Sequence, residues 1–136
     1  QREDLAEKLF YLNKIMHGLD LFYSVKLPEI FLMVHPVGTV IGNAAYQNHS
    51  VFYQNVTIGS NPDGKYPVFS GPAIFFSGSS VIGDCLVGEN VIFGANTFVL
   101  KSNIEANSLV TGQYNLNMKI TPTAFSIKKD FFGDIY

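Results

Sequence analysis

A parallel β-helix, a coil of short flat strands stacked turn upon turn, is the fold class that this sequence predicts. Two observations carry the expectation. From Phe69 onward a bulky apolar residue recurs at every sixth position: Phe69, Phe75, Val81, Val87, Phe93 and Val99. Four residues after each of the first five stands a small or modest side chain, at Ala73, Ser79, Cys85, Val91 and Thr97. An α-helix returns to the same face every 3.6 residues and a flat strand every second residue, so neither explains a period of six. A three-sided coil that spends six residues on each side does, because the same inward position then recurs on every side.

The elements follow in order. "REDLAEKLFYLNKIMHGLD" reads as an amphipathic helix, with Leu5, Leu9, Leu12 and Met16 in one stripe that Phe10 and Ile15 widen. Glu3 and Asp4 suit its dipole at the front, and Gly18 is a stop signal. Residues 1–22 are therefore an N-terminal helix and the lead-in to the solenoid, the helix packing on the body of the domain or on a neighbouring subunit. The β-helix is expected over 23–112. Its first half keeps the rhythm less cleanly: Phe52 and Ile58 are six apart, but Ile41 and Phe52 are eleven apart, so a corner lacks one residue. Glycine follows the apolar position at Ile41-Gly42 and Ile58-Gly59. "SNPDGKYPV" then interrupts the coil, and the expectation is an outward loop at 59–68, since insertions in solenoids map to loops on one face. The aromatic tail, 113–136, lies outside the hexad pattern. It is expected to be irregular and to cap the last coil or reach a neighbouring subunit, with Phe131 and Phe132 as covering residues.

Composition narrows the function classes. The 136 residues are 47% hydrophobic and 15% charged with a formal net charge of -2, which suits neither a nucleic-acid-binding face nor a disordered chain. One cysteine excludes a disulfide within the chain and favours a reducing, cytoplasmic setting. No apolar run is long enough to span a bilayer. Three scattered histidines, His17, His35 and His49, make no zinc pattern, and "IGSNPDG" lacks the ending of a phosphate-binding loop. No metal is expected. His17 and His49 read as structural or exposed, and Cys85 as a buried small hydrophobe.

"HPVGTVIG", "YQNVTIG" and "YPVFSGPAIFFSGSSVIGDCLVGENVIFGANTFVL" together resemble the hexapeptide-repeat acyltransferases, serine acetyltransferase above all, over roughly residues 20–112. The resemblance implies a left-handed parallel β-helix, a homotrimer with active sites between subunits, and acetyl transfer from acetyl-coenzyme A. It places the catalytic histidine at His35 and its orienting carboxylate fifteen residues earlier, at Asp20. The family's His-Pro pair after the outward loop is Tyr66-Pro67 here, with Lys65 where an arginine is usual, and the aspartate before the catalytic histidine is Val34. These departures lie on the acceptor side. Lys65 and Tyr66 are thus the acceptor-binding candidates, and Gly59, Ser60, Ser77, Ala95 and Lys101 are the coenzyme-binding candidates by position. Phe76, where relatives carry glycine, would narrow the coenzyme groove.

The implied chemistry agrees with the residue types. An alcohol attacking a thioester must lose its proton, and an imidazole with a pKa of ~6.5 can take it at neutral pH. A carboxylate on the other ring nitrogen fixes the tautomer and stabilises the imidazolium. His35 as base, Asp20 as its orienter and direct transfer without an acyl-enzyme make up the expected mechanism. The acceptor stays open among serine, another small amino or hydroxy compound, and a sugar. The rival expectation is a catalytically idle trimer serving as a scaffold or ligand-binding module.

Overall fold

The computed structural model describes residues 2–133, and the β-helix is there, with about five turns. Helix α1 (Glu3–His17) precedes it, carrying Glu3 and Asp4 in its first turn and Lys14 and His17 in its last. Gly18 closes the helix in the left-handed conformation, φ 64°, its N–H donating to the Lys14 carbonyl at 3.0 Å. The apolar stripe forms but buries no residue within the chain; Ile15 is 82% and Met16 64% exposed.

The coil has three sides. The first holds β1 (Asp20–Leu21), β3 (Val40–Ile41), β5 (Thr57–Gly59), β8 (Ser80–Ile82) and β11 (Phe98–Leu100), all parallel. The second holds β2 (Phe31–Met33), β4 (Ser50–Phe52), β7 (Ala73–Phe75), β10 (Val91–Phe93) and β12 (Ser108–Thr111). The third holds β6 (Val68–Phe69) and β9 (Leu86–Val87), extended by single bridges at Ala45 and Ile104. The ladder begins at Asp20, already in register with Val40.

The period of six is the inward face. Phe69, Phe75, Val81, Val87, Phe93 and Val99 are all at most 1% exposed, and so is the row of Ala73, Ser79, Cys85, Val91 and Thr97. Large residues meet at the centre of the triangle, while small ones line the interior beside the corners. Because the strands are in register, identical positions stack: the rings of Phe52, Phe75 and Phe93 lie 5.1 Å apart and within 4° of parallel. At the corners Gly78 has φ 71°, and an added Cβ would stand 2.4 Å from the Asn96 amide oxygen in the next coil.

The tail is more regular than the sequence suggested. β13 (Lys119–Pro122) turns back antiparallel onto β12 and covers the edge of the second side. A π-helical turn, Ile127–Phe131, then folds across the outside of that side, where Ile127 is fully buried against Val51, Ile74 and Ile92. Asn90 fastens it, its amide donating to the Phe125 carbonyl and accepting from the Ile127 N–H, both at 2.8 Å. Phe131 and Phe132 join this outer layer as covering residues. So does Phe76, which packs 5.0 Å from the Tyr53 ring.

Phe75 has stacked neighbours above and below, so Phe75→Ala opens a cavity that the coil cannot close by sliding. We expect a loss of about 3–5 kcal/mol in urea unfolding, and a loss under 1 kcal/mol would show that the ring column is dispensable.

Candidate active site

Regular coils leave only the corners free to vary, and the candidate residues sit where the corners depart from the pattern. Six residues, 34–39, join β2 to β3, whereas four (53–56, 76–79 and 94–97) join the equivalent strands in later coils. The backbone ladder pairs Val37 with Asn55, Gln54 with Gly78 and Ser77 with Asn96, so the additional pair is His35-Pro36. His35 is exposed and has φ 48°, an uncommon conformation for a side-chain-bearing residue. It stands out from the corner ridge.

Asp20 begins β1. Its register partner Val40 faces outward while Leu21 opposes the buried Ile41, so the Asp20 carboxylate lies on the outer face of the first side. The Lys14 ammonium holds it at 2.5 Å, with the two side chains 50% and 31% exposed. Among the described residues no hydrogen bond or ion pair joins Asp20 to His35 in this single chain.

The loop and the missing residue belong together. Eight residues, 60–67, connect β5 to β6, where three, 83–85, connect β8 to β9 one coil later. Asn61 is buried and closes the loop, its backbone N–H donating to the Lys65 carbonyl and its side-chain oxygen accepting the Lys65 N–H, both at 3.0 Å. In the coil before, Tyr46 stacks on Phe69 at 5.7 Å and so takes the inward position, five residues after Ile41 where six is the rule. The residue that the sequence lacks is therefore missing beside Gly42. Tyr66 swings back from the loop onto that shortened corner: a Cβ on Gly42 would lie 2.7 Å from the Tyr66 ring and 2.4 Å from the Ile58 carbonyl. Between loop and helix end remains a cleft of about 360 Å³, lined by Asp20, Phe22, Ser24, Gly42, Asn43 and Tyr66 among others.

The structure thus brings Asp20 and Tyr66 to one cleft. Lys65 turns away from it: its ammonium meets the Asp84 carboxylate at 2.9 Å, both groups more than half exposed, and that hydrogen bond raises its pKa. The coenzyme candidates divide between two corners. Ser77 and Ala95 stack in the ridge that carries His35, the Asn96 N–H donating to the Ser77 carbonyl at 2.9 Å. Gly59, Ser60 and Lys101 lie at the other end of the first side, where the Gly83 N–H donates to the Gly59 carbonyl and the Lys101 N–H to the Ile82 carbonyl.

Of the other chemistry-bearing groups, Cys85 is fully buried, its thiol donating to the Ile82 carbonyl and its pKa pushed up by desolvation. His49 is buried with its ring edge-on to Phe132 at 5.0 Å, and His17 is exposed on α1. Among the described residues no cluster of ligating side chains could hold a metal. Sequence reasoning missed the partners Lys14, Asp84 and Asn61, and it missed the meeting of Tyr66 with Gly42. Only the count between Ile41 and Phe52 hinted at the last of these.

Two expectations follow from this packing. Gly42→Ala would drive a methyl into backbone and ring at once, costing about 1–3 kcal/mol, to be read as a lowered midpoint of thermal unfolding. Cys85 should resist a thiol reagent in the native protein and react once urea unfolds it; rapid native labelling would contradict its burial.

No family model matches the chain. The serine acetyltransferase of Synechococcus elongatus is 29% identical over 108 residues, covering 76% of this chain and 44% of that protein. That of Staphylococcus epidermidis is 28% identical over 101 residues, covering 71% and 47%. Among solved structures, Brucella abortus serine acetyltransferase in complex with coenzyme A superposes with a TM-score of 0.81 at 22% identity over 92% of this chain and 50% of its own. The chain is thus similar in sequence to serine acetyltransferases and shares their fold, while spanning about half the length of the curated relatives that it matches.

Proposed function

We propose that the chain is the catalytic solenoid of an acetyltransferase that moves acetyl from acetyl-coenzyme A to a hydroxyl of a small serine-like acceptor. The observation that carries this reading is the His35-Pro36 projection, which puts an exposed imidazole at the head of the Ser77–Ala95 ridge. The sequence likeness to serine acetyltransferases and the coenzyme A complex of a structural neighbour support it.

In the reaction His35 removes the acceptor's hydroxyl proton as the oxygen attacks the thioester carbonyl. The new O–C bond forms, the C–S bond breaks, and the imidazolium returns the proton to the departing coenzyme thiolate. No side chain is acylated, and fully buried Cys85 stays out of the chemistry. Asp20 orients the imidazole through its Oδ1 oxygen, the Lys14 ammonium being held on Oδ2. Ser77 and Ala95 allow close approach of the pantetheine arm, and Gly59, Ser60 and Lys101 serve the far end of the coenzyme. The assembly is a homotrimer with sites between subunits: α1 and the outward residues Val68 and Leu86 leave apolar surface for neighbouring copies. No helix among the described residues is long and apolar enough to cross a membrane, and a cytoplasmic setting fits the single reduced cysteine.

Coenzyme release in the presence of small hydroxyl acceptors tests the reading. His35→Ala should lower the rate about 10²–10⁴-fold while coenzyme A still raises the unfolding temperature. At a hundredfold excess over its dissociation constant that stabilisation is about 2.7 kcal/mol. An undiminished rate in His35→Ala would overturn the assignment of the base, and no thermal shift at millimolar coenzyme would favour the idle scaffold.

A further inference from the structure

Resting on the acetyl-transfer reading above, we infer that the acceptor is a small alcohol without a carboxylate, an amino alcohol or polyol, held in the cleft between Asp20 and Tyr66. The inference comes from what lines that cleft and what does not. Among its described lining residues the one carboxylate is Asp20, and the Lys14 ammonium that balances it is already engaged at 2.5 Å from outside the lining. The loop's own cation, Lys65, is fastened to Asp84 and does not reach the lining either. A carboxylate entering here would face Asp20 with no cation among the described lining residues to receive it, and like charges at close range oppose each other.

The remaining polar groups suit hydroxyls. The Ser24 and Tyr66 hydroxyls and the Asn43 amide can each donate and accept, so they can match an alcohol in either role. Phe22 and Tyr66 supply aromatic walls for the carbon skeleton, and an ammonium on the acceptor would be drawn to Asp20. Tyr66 is the residue that closes this space, because the shortened corner at Gly42 lets its ring lie over the backbone where a longer corner would displace it. Tyr66 therefore sets acceptor preference as a positioning residue, with proton transfer left to His35.

Serine and serinol (2-amino-1,3-propanediol) differ only in a carboxylate against a hydroxymethyl group, so their ratio isolates the point. We expect kcat/KM for coenzyme release to be at least tenfold higher with serinol than with serine in the wild-type protein. Tyr66→Ala should raise the serinol KM several-fold with a smaller change in kcat, a split that loss of fold would not give. Equal or better use of serine would overturn the inference and leave acetyl transfer standing. Silence with both acceptors, coenzyme binding being intact, would overturn the acetyl-transfer reading itself and the acceptor assignment with it.

Discussion

Face-to-face stacking of identical inward positions is the constraint on which the rest of this molecule depends. Parallel strands lie roughly 4.7–4.9 Å apart, and the rings of Phe52, Phe75 and Phe93 repeat at 5.1 Å almost without rotation. A column of that kind admits no slip, because moving one strand by one residue would turn its inward side chains to solvent. Residues gained or lost must therefore be absorbed between strands. The two-residue projection at His35-Pro36, the deletion beside Gly42 and the long connection over 60–67 are all corner events. Function can accumulate there without disturbing the core.

The same constraint explains what could be read from the sequence. The interior rows were legible because each inward position tolerates a narrow range of sizes, and the range repeats. The deletion was legible as a count, though not its consequence, since the partner that fills the space arrives from the following coil. Charge pairing was not legible at all. Lys14 lies six residues from Asp20 and Lys65 nineteen from Asp84, and only the folded path of the chain makes them neighbours. The tail escaped for a different reason. Its apolar residues obey no period, being fixed by one buried isoleucine, Ile127, and the two hydrogen bonds of the Asn90 side chain.

The structure divides labour between its sides. The outside of the second side is covered by the tail, whose aromatic layer also takes up Val34 and Phe76. Val34 and Phe76, where the family resemblance expects other residues, thus have packing partners in this layer. The outside of the first side holds the cleft that Asp20 and Tyr66 line, and His35 stands on the connection that leads into that side from the second. In the proposed reaction imidazole and carboxylate would supply the proton chemistry. The tyrosine and its lining neighbours offer hydrogen bonds but no fixed positive charge, so on that proposal chemistry and acceptor choice rest on different residues.

A crystal structure of the assembled protein with coenzyme A and serinol would test the central claim most directly. In that crystal the acceptor should lie between Asp20 and Tyr66, with a hydroxyl oxygen within hydrogen-bond reach of the His35 imidazole and the coenzyme sulfur beside the Ser77–Ala95 ridge. Coenzyme bound on the tail-covered side, or acceptor bound away from His35, would contradict it.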